Sequence, residues 1–202
     1  KSDGWGSDSK LNLNGKEINL HLDLPGKHNV LNALAAIKAV AKLGIDAQQA
    51  APGLSGFTGC RRRLEKIGQI GQAVLIDDYG HHPDQIQAVL DSLRNVYPDQ
   101  RLVAVFEPHQ YERTWRLFDQ FTQVWGQVDK LYLLPIYKIK GRESKKALEE
   151  VNIHKLYQAL KEKGINVELV KEKQNMLSKL EQEGEQTKAI ILFSAGPFSD
   201  YL

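Results

Sequence analysis

Residues 73–83 read AVLIDDYGHHP, an apolar run that passes directly into a polar segment with a glycine and a proline. Residues 102–114, LVAVFEPHQYERT, repeat this pattern. Short apolar runs without alternation are typical of strands that are buried on both faces of a sheet. Pro83 can begin a helix, because its missing N–H would have no intrahelical partner in the first turn. Each stretch therefore predicts a buried strand that leads into a helix.

Further apolar runs and helical patterns alternate along the rest of the chain. The runs are residues 131–134, 167–170 and 189–193, and the helical patterns are residues 84–96, 114–125, 148–163 and 175–183. Because each crossover helix returns the chain to the same end of the sheet, this alternation predicts a mostly parallel sheet with helices on both faces. We expect residues 63–67 to add an antiparallel edge strand. The predicted fold class is thus α/β and Rossmann-like.

The first part of the sequence follows a different pattern. Residues 17–24 alternate between apolar and polar side chains, as in a half-buried strand. From His28 the apolar positions have helical spacing, and Gly44 is expected to end that helix. A short second helix and a glycine-rich connector follow. We expect a domain boundary after this connector, with residues 1–67 and residues 68–202 as the two domains.

Composition and charge exclude several classes of protein. The 202 residues carry 27 basic and 25 acidic side chains, so the charge predicts no nucleic-acid partner. No apolar stretch is long enough for a signal peptide or a membrane span. The lone cysteine, Cys60, suits a reducing compartment. We therefore expect a soluble, cytoplasmic protein without a membrane partner, and we interpret the start at Lys1, without an initiator Met, as a cut.

Both polar segments lie where open α/β sheets bind their ligands, beyond the carboxyl ends of the strands. The first contains Asp77, Asp78, His81 and His82, and the second contains His109. Helix N-termini attract anions, so these segments predict recognition of a phosphate or a carboxylate. Asp and His at such places can also be simple turn and cap residues. Consecutive histidines suit a shared metal ion poorly, so we expect no dedicated metal site.

Other stretches have simpler interpretations. The arginines at residues 61–63 can be a solvated run of charge, but they follow the connector, where arginine suits a phosphate. Aromatic side chains at helical spacing within residues 111–125 are expected to form a packed helix face rather than a ligand platform. We predict a mobile loop at residues 136–146 and a turn at residues 193–197, and the sequence assigns no function to either.

Four segments together carry a resemblance to a known family. They are LPGKHNVLNALAAIKA at residues 24–39, CRRRLE at 60–65, IDDYGHHPDQI at 76–86 and FEPHQYERT at 106–114. In this order and at these distances they resemble the Mur ligases, and the last two resemble the members that join L-alanine to UDP-N-acetylmuramate. The resemblance implies a parent with a UDP-sugar domain, a central P-loop ATPase domain and a C-terminal Rossmann-like domain that closes over ATP. The first 67 residues would then be the end of the central domain.

The resemblance also implies roles for individual residues. Six of them would bind the nucleotide: His28, Asn29, Asn32, Arg63, Asp78 and Tyr79. Among these, the asparagines match the adenine site, the arginine the phosphates and the aspartate the ribose. Three more would face the acyl phosphate and the incoming alanine: His81, His109 and Arg113. The sequence departs from the family pattern at Gln110, where some relatives carry arginine, and at Glu112, where a small polar residue is common.

The implied reaction joins L-alanine to UDP-N-acetylmuramate with ATP and Mg²⁺, through an acyl phosphate, in peptidoglycan synthesis. The sequence contains no G-x-x-x-x-G-K-[ST] motif, and the carboxylate that holds magnesium in the family is absent. We therefore predict that this chain alone is inactive. A murein-peptide-recycling ligase, which carries a similar His-His-Pro segment, and a non-catalytic module that binds a nucleotide or a partner stay open as alternatives. A third alternative is a metal-dependent phosphoesterase that uses Asp77, Asp78, His81, His82 and His109.

Overall fold

The computed structural model describes residues 4–13, 15–172 and 175–194. The chain forms two compact units. The first contains Lys1–Arg61 and Asp91–Pro98, and the second contains Arg62–Leu90 and Asp99–Leu202. No helix of the described residues is both long and apolar enough to cross a membrane.

A hairpin and a long helix begin the first unit. Strands β1 (Ser7–Leu13) and β2 (Lys16–Leu22) pair antiparallel, and helix α1 (Lys27–Lys42) follows. After α1 come α2 (Ala47–Ala50) and a 3-10 helix (Ala51–Leu54). The predicted strand and both predicted helices are confirmed. Strand β1 was not predicted, because two of its partly buried positions hold serine instead of an apolar residue.

The periods of strand and helix build the core of this unit. Ile18 and Leu20 are buried at alternate positions of β2, and Ala33 and Ile37 are buried one turn apart on α1. Gly44 follows the end of α1 with a φ of 88°. Glycine adopts this conformation without strain, which is why it ends the helix.

The second unit is built on a six-stranded sheet. Its strands are β3 (Glu65–Ile70), β4 (Ala73–Asp78), β5 (Leu102–Phe106), β6 (Lys130–Leu133), β7 (Val167–Leu169) and β8 (Ala189–Phe193). In the described residues their order is β3-β4-β8-β5-β6-β7, and all neighbours are parallel except β3 and β4. The predicted α/β fold, with a mostly parallel sheet and an antiparallel edge strand, is confirmed. Because β3 pairs with β4, the compact units divide at Arg61 and Arg62, whereas the sequence suggested residues 67 and 68.

Six helices follow α2 along the described chain. They are α3 (Pro83–Val96), α4 (Tyr111–Arg116), α5 (Phe118–Phe121), α6 (Lys145–Glu150), α7 (Ile153–Glu162) and α8 (Met176–Gly184), with a 3-10 helix at Val124–Gln127. Two predicted helices are each divided. The first breaks at Leu117, which has a φ of −110° and a ψ of 20°. The second is interrupted at Asn152, whose side chain caps α7 by accepting the N–H of Lys155 at 2.9 Å.

Residues of the central strands pack against helices on opposite faces of the sheet. Val105 of β5 packs in one cluster with Met176 and Leu180 of α8. The next residue, Phe106, points the other way, and its ring centroid lies 5.0 Å from that of Trp125. Helical segments therefore cover both faces of the sheet, as the sequence predicted.

The strand order decides where the two polar segments lie. Strands β4 and β5 are not neighbours, since β8 lies between them and pairs with both. The two polar segments therefore leave the sheet on either side of the end of β8. Of the turn predicted at residues 193–197, residues 195–197 lie outside the described part of the chain.

Candidate functional site

Arg62 and Asp77 form an ion pair at the end of β4. The Nε of Arg62 donates to Oδ2 of Asp77 at 3.1 Å, and the Asp77 side chain is 5% exposed. Nη2 of Arg62 also donates to the backbone oxygen of Ser194, just past β8, at 2.6 Å. Burial raises the pKa of Asp77, and the positive charge of Arg62 opposes this rise. Arg62 thus links the segment before β3 to the ends of two strands.

Both carboxylate oxygens of Asp78, the last residue of β4, accept backbone hydrogen bonds. Oδ2 accepts from the N–H of Leu64 at 2.8 Å, and Oδ1 accepts from the N–H of Gly80 at 2.6 Å. Burial raises the pKa of Asp78, and these hydrogen bonds act in the opposite direction. The residue is 2% exposed. In the structure Asp78 therefore joins residues 62–64, which we call the arginine turn, to the end of β4. Its contact with a ribose stays a prediction.

The arginine turn gives its consecutive guanidinium groups different surroundings. Arg62 and Leu64 both adopt left-handed backbone conformations, with φ of 58° and 49°. The Cζ atoms of Arg62 and Arg63 lie 5.1 and 5.7 Å from the ring centroid of Tyr79. Arg62 is half-buried, whereas Arg63 is exposed. Arg63, the residue predicted to bind phosphate, is thus the one that a ligand can reach.

Aromatic rings from both polar segments meet beyond the strand ends. The centroids of Tyr79 and His81 are 4.9 Å apart in an edge-to-face arrangement, and those of His81 and His109 are 6.0 Å apart. His109 stacks on Tyr137, with a centroid distance of 5.4 Å and an interplanar angle of 13°. We refer to these four rings, Tyr79, His81, His109 and Tyr137, as the ring row.

Arg113 approaches the ring row from α4. Its Nη1 lies 3.3 Å from Nδ1 of His109 and donates to the backbone oxygen of the same residue at 3.1 Å. Burial lowers the pKa of His81 and of His109, and the positive charge of Arg113 lowers both further. These effects favour the neutral form of both imidazoles at pH 7. Such an arrangement can hold an anion at the guanidinium and exchange protons at the rings.

The segment after β6 is held to the second polar segment. The N–H of Tyr137 donates to the oxygen of Pro108 at 2.8 Å, and the N–H of Gln110 donates to the oxygen of Tyr137 at 2.9 Å. The Glu143 side chain accepts the N–H of Glu112 at 3.0 Å. These bonds give the predicted loop a fixed contact with the site, which the sequence did not indicate.

The structure shows the local environment of Glu112 and Gln110, the two residues that depart from the family pattern. Hydrogen bonds from Ser144 Oγ and Arg116 Nε, both at 2.6 Å, lower the pKa of Glu112. Gln110 has a φ of 76° and a ψ of 130°, a conformation that residues other than glycine rarely adopt. The negative charge of Glu112 is thus balanced by Arg116, one turn along α4.

The residues predicted to bind adenine lie in the first unit, at the start of α1. Nδ2 of Asn29 donates to the oxygen of Pro25 at 2.8 Å. Asn32 is exposed, and His28 is half-buried. The other six predicted site residues all lie in the second unit, where the structure brings them together: Arg63, Asp78, Tyr79, His81, His109 and Arg113.

Among the residues that the structure describes, no three His, Cys, Asp or Glu side chains are placed to share one metal ion. Nδ1 of His81 is 2.9 Å from the oxygen of Tyr79, and Nδ1 of His82 accepts the N–H of Asp84 at 3.3 Å. The five residues of the metal-dependent phosphoesterase alternative are therefore not gathered around one metal position.

Sequence analysis included Arg62 only in the run at residues 61–63, and Tyr137 and Glu143 only in the loop at residues 136–146, and it gave none of the three a role of its own. Ligands of open α/β sheets bind beyond the carboxyl ends of the strands, and this rule could have found Tyr137. The residue follows β6 as the polar segments follow β4 and β5. Arg62 and Arg63 are the same residue type, so only the backbone geometry decides which of them pairs with Asp77. No pattern in the sequence marks Glu143.

Sequence similarity to known proteins covers both units. The family described as "Mur ligase, glutamate ligase domain" matches residues 62–196. The UDP-N-acetylmuramate--L-alanine ligase of Desulforapulum autotrophicum is 38% identical over 91% of this chain and 40% of its own length. The proteins of the same name from Aquifex aeolicus and Nitratidesulfovibrio vulgaris are 34% and 48% identical over 95% and 61% of this chain. The chain spans 40%, 40% and 27% of the length of these three relatives.

Solved structures resemble the whole chain as well. The UDP-N-acetylmuramate-alanine ligase of Thermotoga maritima aligns with a TM-score of 0.77 at 24% identity, over 98% of this chain and 41% of that one. A murein peptide ligase from Psychrobacter arcticus aligns with a TM-score of 0.59 at 23% identity, over 100% of this chain and 41% of that one. Both likenesses show a shared fold.

Proposed function

Since the chain belongs to the Mur ligase family, we propose that it is the C-terminal part of an ATP-dependent, cytoplasmic ligase that joins L-alanine to UDP-N-acetylmuramate in peptidoglycan synthesis. The names of the three relatives support this pair of substrates. One observation carries the proposal: the imidazoles of His81 and His109 and the Arg113 guanidinium converge where α/β sheets bind ligands. Residues 1–67 would belong to the end of the central domain and residues 68–202 to the C-terminal domain.

In the proposal six residues bind ATP: His28, Asn29, Asn32, Arg63, Asp78 and Tyr79. The predicted role is best supported for Arg63, because its side chain is exposed beside the Tyr79 ring and a guanidinium can bind two phosphate oxygens at once. Asp77 and Asp78 keep the arginine turn in place through buried contacts.

The proposed reaction has two steps. The muramate carboxylate attacks the γ-phosphorus of ATP and releases ADP, and the amine of alanine then displaces phosphate from the acyl phosphate. Arg113, next to His109, would bind the carboxylate of the incoming alanine through charge-assisted hydrogen bonds. In the proposal the P-loop, and most ligands of the family's magnesium ion, belong to the part of the parent ligase that carries the P-loop motif, which is absent from these 202 residues. The chain alone would therefore be inactive.

The test measures ADP release and product mass with the full-length protein that contains this sequence. We expect continuous ADP release over many turnovers to require both UDP-N-acetylmuramate and L-alanine. Arg113→Ala should raise the KM for alanine by roughly 10- to 100-fold, as expected for loss of a hydrogen bond between charged groups, while the KM for ATP stays unchanged. Arg116→Ala is the control, because this side chain is 69% exposed and pairs with Glu112. Product with the murein tripeptide in place of alanine would favour the recycling ligase, and no product with either would contradict the proposal.

A further inference from the structure

His81 has a hydrogen-bond partner that fixes its tautomer. Its Nδ1 lies 2.9 Å from the backbone oxygen of Tyr79. A carbonyl oxygen only accepts hydrogen bonds, so Nδ1 must carry the proton. In the neutral ring the other nitrogen, Nε2, then has a lone pair and no proton.

His109 has a partner of the opposite character. Nη1 of Arg113 lies 3.3 Å from Nδ1 of His109. A guanidinium only donates hydrogen bonds, so this Nδ1 accepts, and the proton of the neutral ring is on Nε2. The stack with Tyr137, whose backbone is bonded to Pro108 and Gln110, holds the ring in this orientation.

The surroundings favour the neutral form of both rings, which these tautomers require. Burial is the largest cause that lowers the pKa of each ring, and the charge of Arg113 acts in the same direction on both. The other charged or titratable side chains that act on them are Arg63 and His82 for His81, and Glu107 and Glu143 for His109. In these tautomers Nε2 of His81 is a hydrogen-bond acceptor, and Nε2–H of His109 is a hydrogen-bond donor.

We propose that the two histidines act in different ways on the incoming amino acid and the acyl phosphate. Nε2 of His81 accepts a proton from the ammonium group of the amino acid, and Nε2–H of His109 donates a hydrogen bond to an oxygen of the acyl phosphate. The identity of these substrates rests on the proposed function, whereas the tautomers rest on the geometry alone.

The protons and electrons of the step balance. When the first proton moves to His81, the nitrogen keeps an electron pair and can attack the acyl carbon. A C–N bond forms, and the C–O bond to the phosphate breaks, with its electrons going to the phosphate oxygen. The second proton of the nitrogen goes to the departing phosphate, which leaves as hydrogen phosphate. His81 then returns its proton to solvent.

The tautomers can be measured without any activity. Long-range proton–nitrogen NMR correlations of this chain, labelled with ¹⁵N in histidine, distinguish Nδ1–H from Nε2–H in each ring. We expect Nδ1–H for His81 and Nε2–H for His109. The same tautomer in both rings would overturn the inference, whatever the variants below do.

Kinetics of the full-length protein test the role of the acceptor. His81→Asn keeps an N–H donor for the oxygen of Tyr79 but removes Nε2, so kcat at pH 7 should fall by about 100-fold, as is typical when a general base is lost. This deficit should shrink as the pH approaches the pKa of the amino group, where solvent supplies the neutral amine. His82→Asn is the matched control, because Asn can still accept the N–H of Asp84, and it should leave the rate unchanged.

The outcomes separate the inference from the proposed function. If the wild-type protein releases no ADP in the presence of alanine, the proposed function is contradicted, and the tautomer measurement still decides the geometric part. If the wild type ligates alanine and the deficit of His81→Asn is the same at every pH, His81 only positions other groups and the inference is overturned.

Discussion

Arg62 and Asp77 form an ion pair that satisfies only one of the two carboxylate oxygens. Nε of Arg62 is 3.1 Å from Oδ2 of Asp77, whereas Oδ1 is buried and has no hydrogen-bond partner among the described residues. A buried carboxylate is costly unless an opposite charge lies beside it. The ion pair with Asp77 therefore holds the guanidinium of Arg62 at the end of β4. The next residue, Arg63, is exposed.

Arg62→Ala should lower the free energy of unfolding of the second unit by about 3 kcal/mol at neutral pH, because it leaves Asp77 without a counter-charge. Burial raises the pKa of Asp77, so its contribution to stability is full below its ordinary pKa and is lost as the pH rises through the folded value. The effect of Arg62→Ala should therefore shrink in acid. Urea unfolding at neutral and acidic pH measures it, with the exposed Arg61→Ala as the control. Equal losses in the two variants would refute this account.

Arg113→Met should raise the pKa of both His81 and His109, because it removes a positive charge that lowers each. Folding lowers the pKa of both rings in the wild type. Their contribution to the free energy of unfolding is therefore present above the ordinary pKa of histidine and is lost as the pH falls through the pKa of the folded state. Arg113→Met should therefore make the fold less sensitive to acid. NMR titration of the ring protons checks the shifts. Arg116→Met, a substitution of the same kind at an exposed position of α4, should leave both rings as they are.

Strands and their polar ends could be predicted because local patterns determine them. The run at residues 102–106 is a strand with those bounds, and Pro83 begins α3 as its missing N–H suggests. The pairing of β8 with both β4 and β5 could not be predicted, since parallel order depends on long-range packing that leaves no local pattern. The position of β8 is what sets the spacing of the two polar segments.

Part of the candidate site depends on backbone geometry that the sequence does not reveal. Nothing in the run of arginines at residues 61–63 distinguishes Arg62, which is bonded to Asp77, from Arg63, which is exposed. Tyr137 reaches the site because its backbone pairs with that of residues 108–110, and Gln110 takes a strained conformation in that pairing. Side chains that interact across such long separations in sequence need the tertiary structure to be seen.

Gln110→Gly should raise the free energy of unfolding by about 1 kcal/mol. Backbone strain at a φ of 76° and a ψ of 130° costs about 1–3 kcal/mol in a residue other than glycine, and the extra freedom of glycine in the unfolded chain offsets up to about 1 kcal/mol of the gain. Gln158→Gly, at an exposed position inside α7, should instead lower it by about 1 kcal/mol. Chemical denaturation of the two variants compares the signs. A loss of stability in both would show that the conformation of Gln110 carries no strain.

Glu183, in the last turn of α8, contacts charged and polar side chains near the start of β5 and β6. Its carboxylate is 2.8 Å from Nη2 of Arg101, 3.2 Å from Nζ of Lys130 and 3.0 Å from the hydroxyl of Tyr132. Burial opposes the charge of Glu183, but the hydrogen bonds from these groups outweigh it and lower its pKa. Charge at this position therefore stabilises the fold, in contrast to Asp77.

Glu183→Gln should lower the free energy of unfolding by about 2 kcal/mol at neutral pH, since it leaves the charges of Arg101 and Lys130 without their shared partner. Because the pKa of Glu183 is lowered by folding, its contribution is present above the ordinary pKa of a glutamate and is lost as the pH falls through the folded value. The difference between variant and wild type should thus disappear in acid. Glu181→Gln, exposed on the same helix, should change stability by less than about 0.5 kcal/mol. Urea unfolding at neutral and at acidic pH measures the difference in the free energy of unfolding. A difference that persists in acid would mean that Glu183 stabilises the fold through its shape and not its charge.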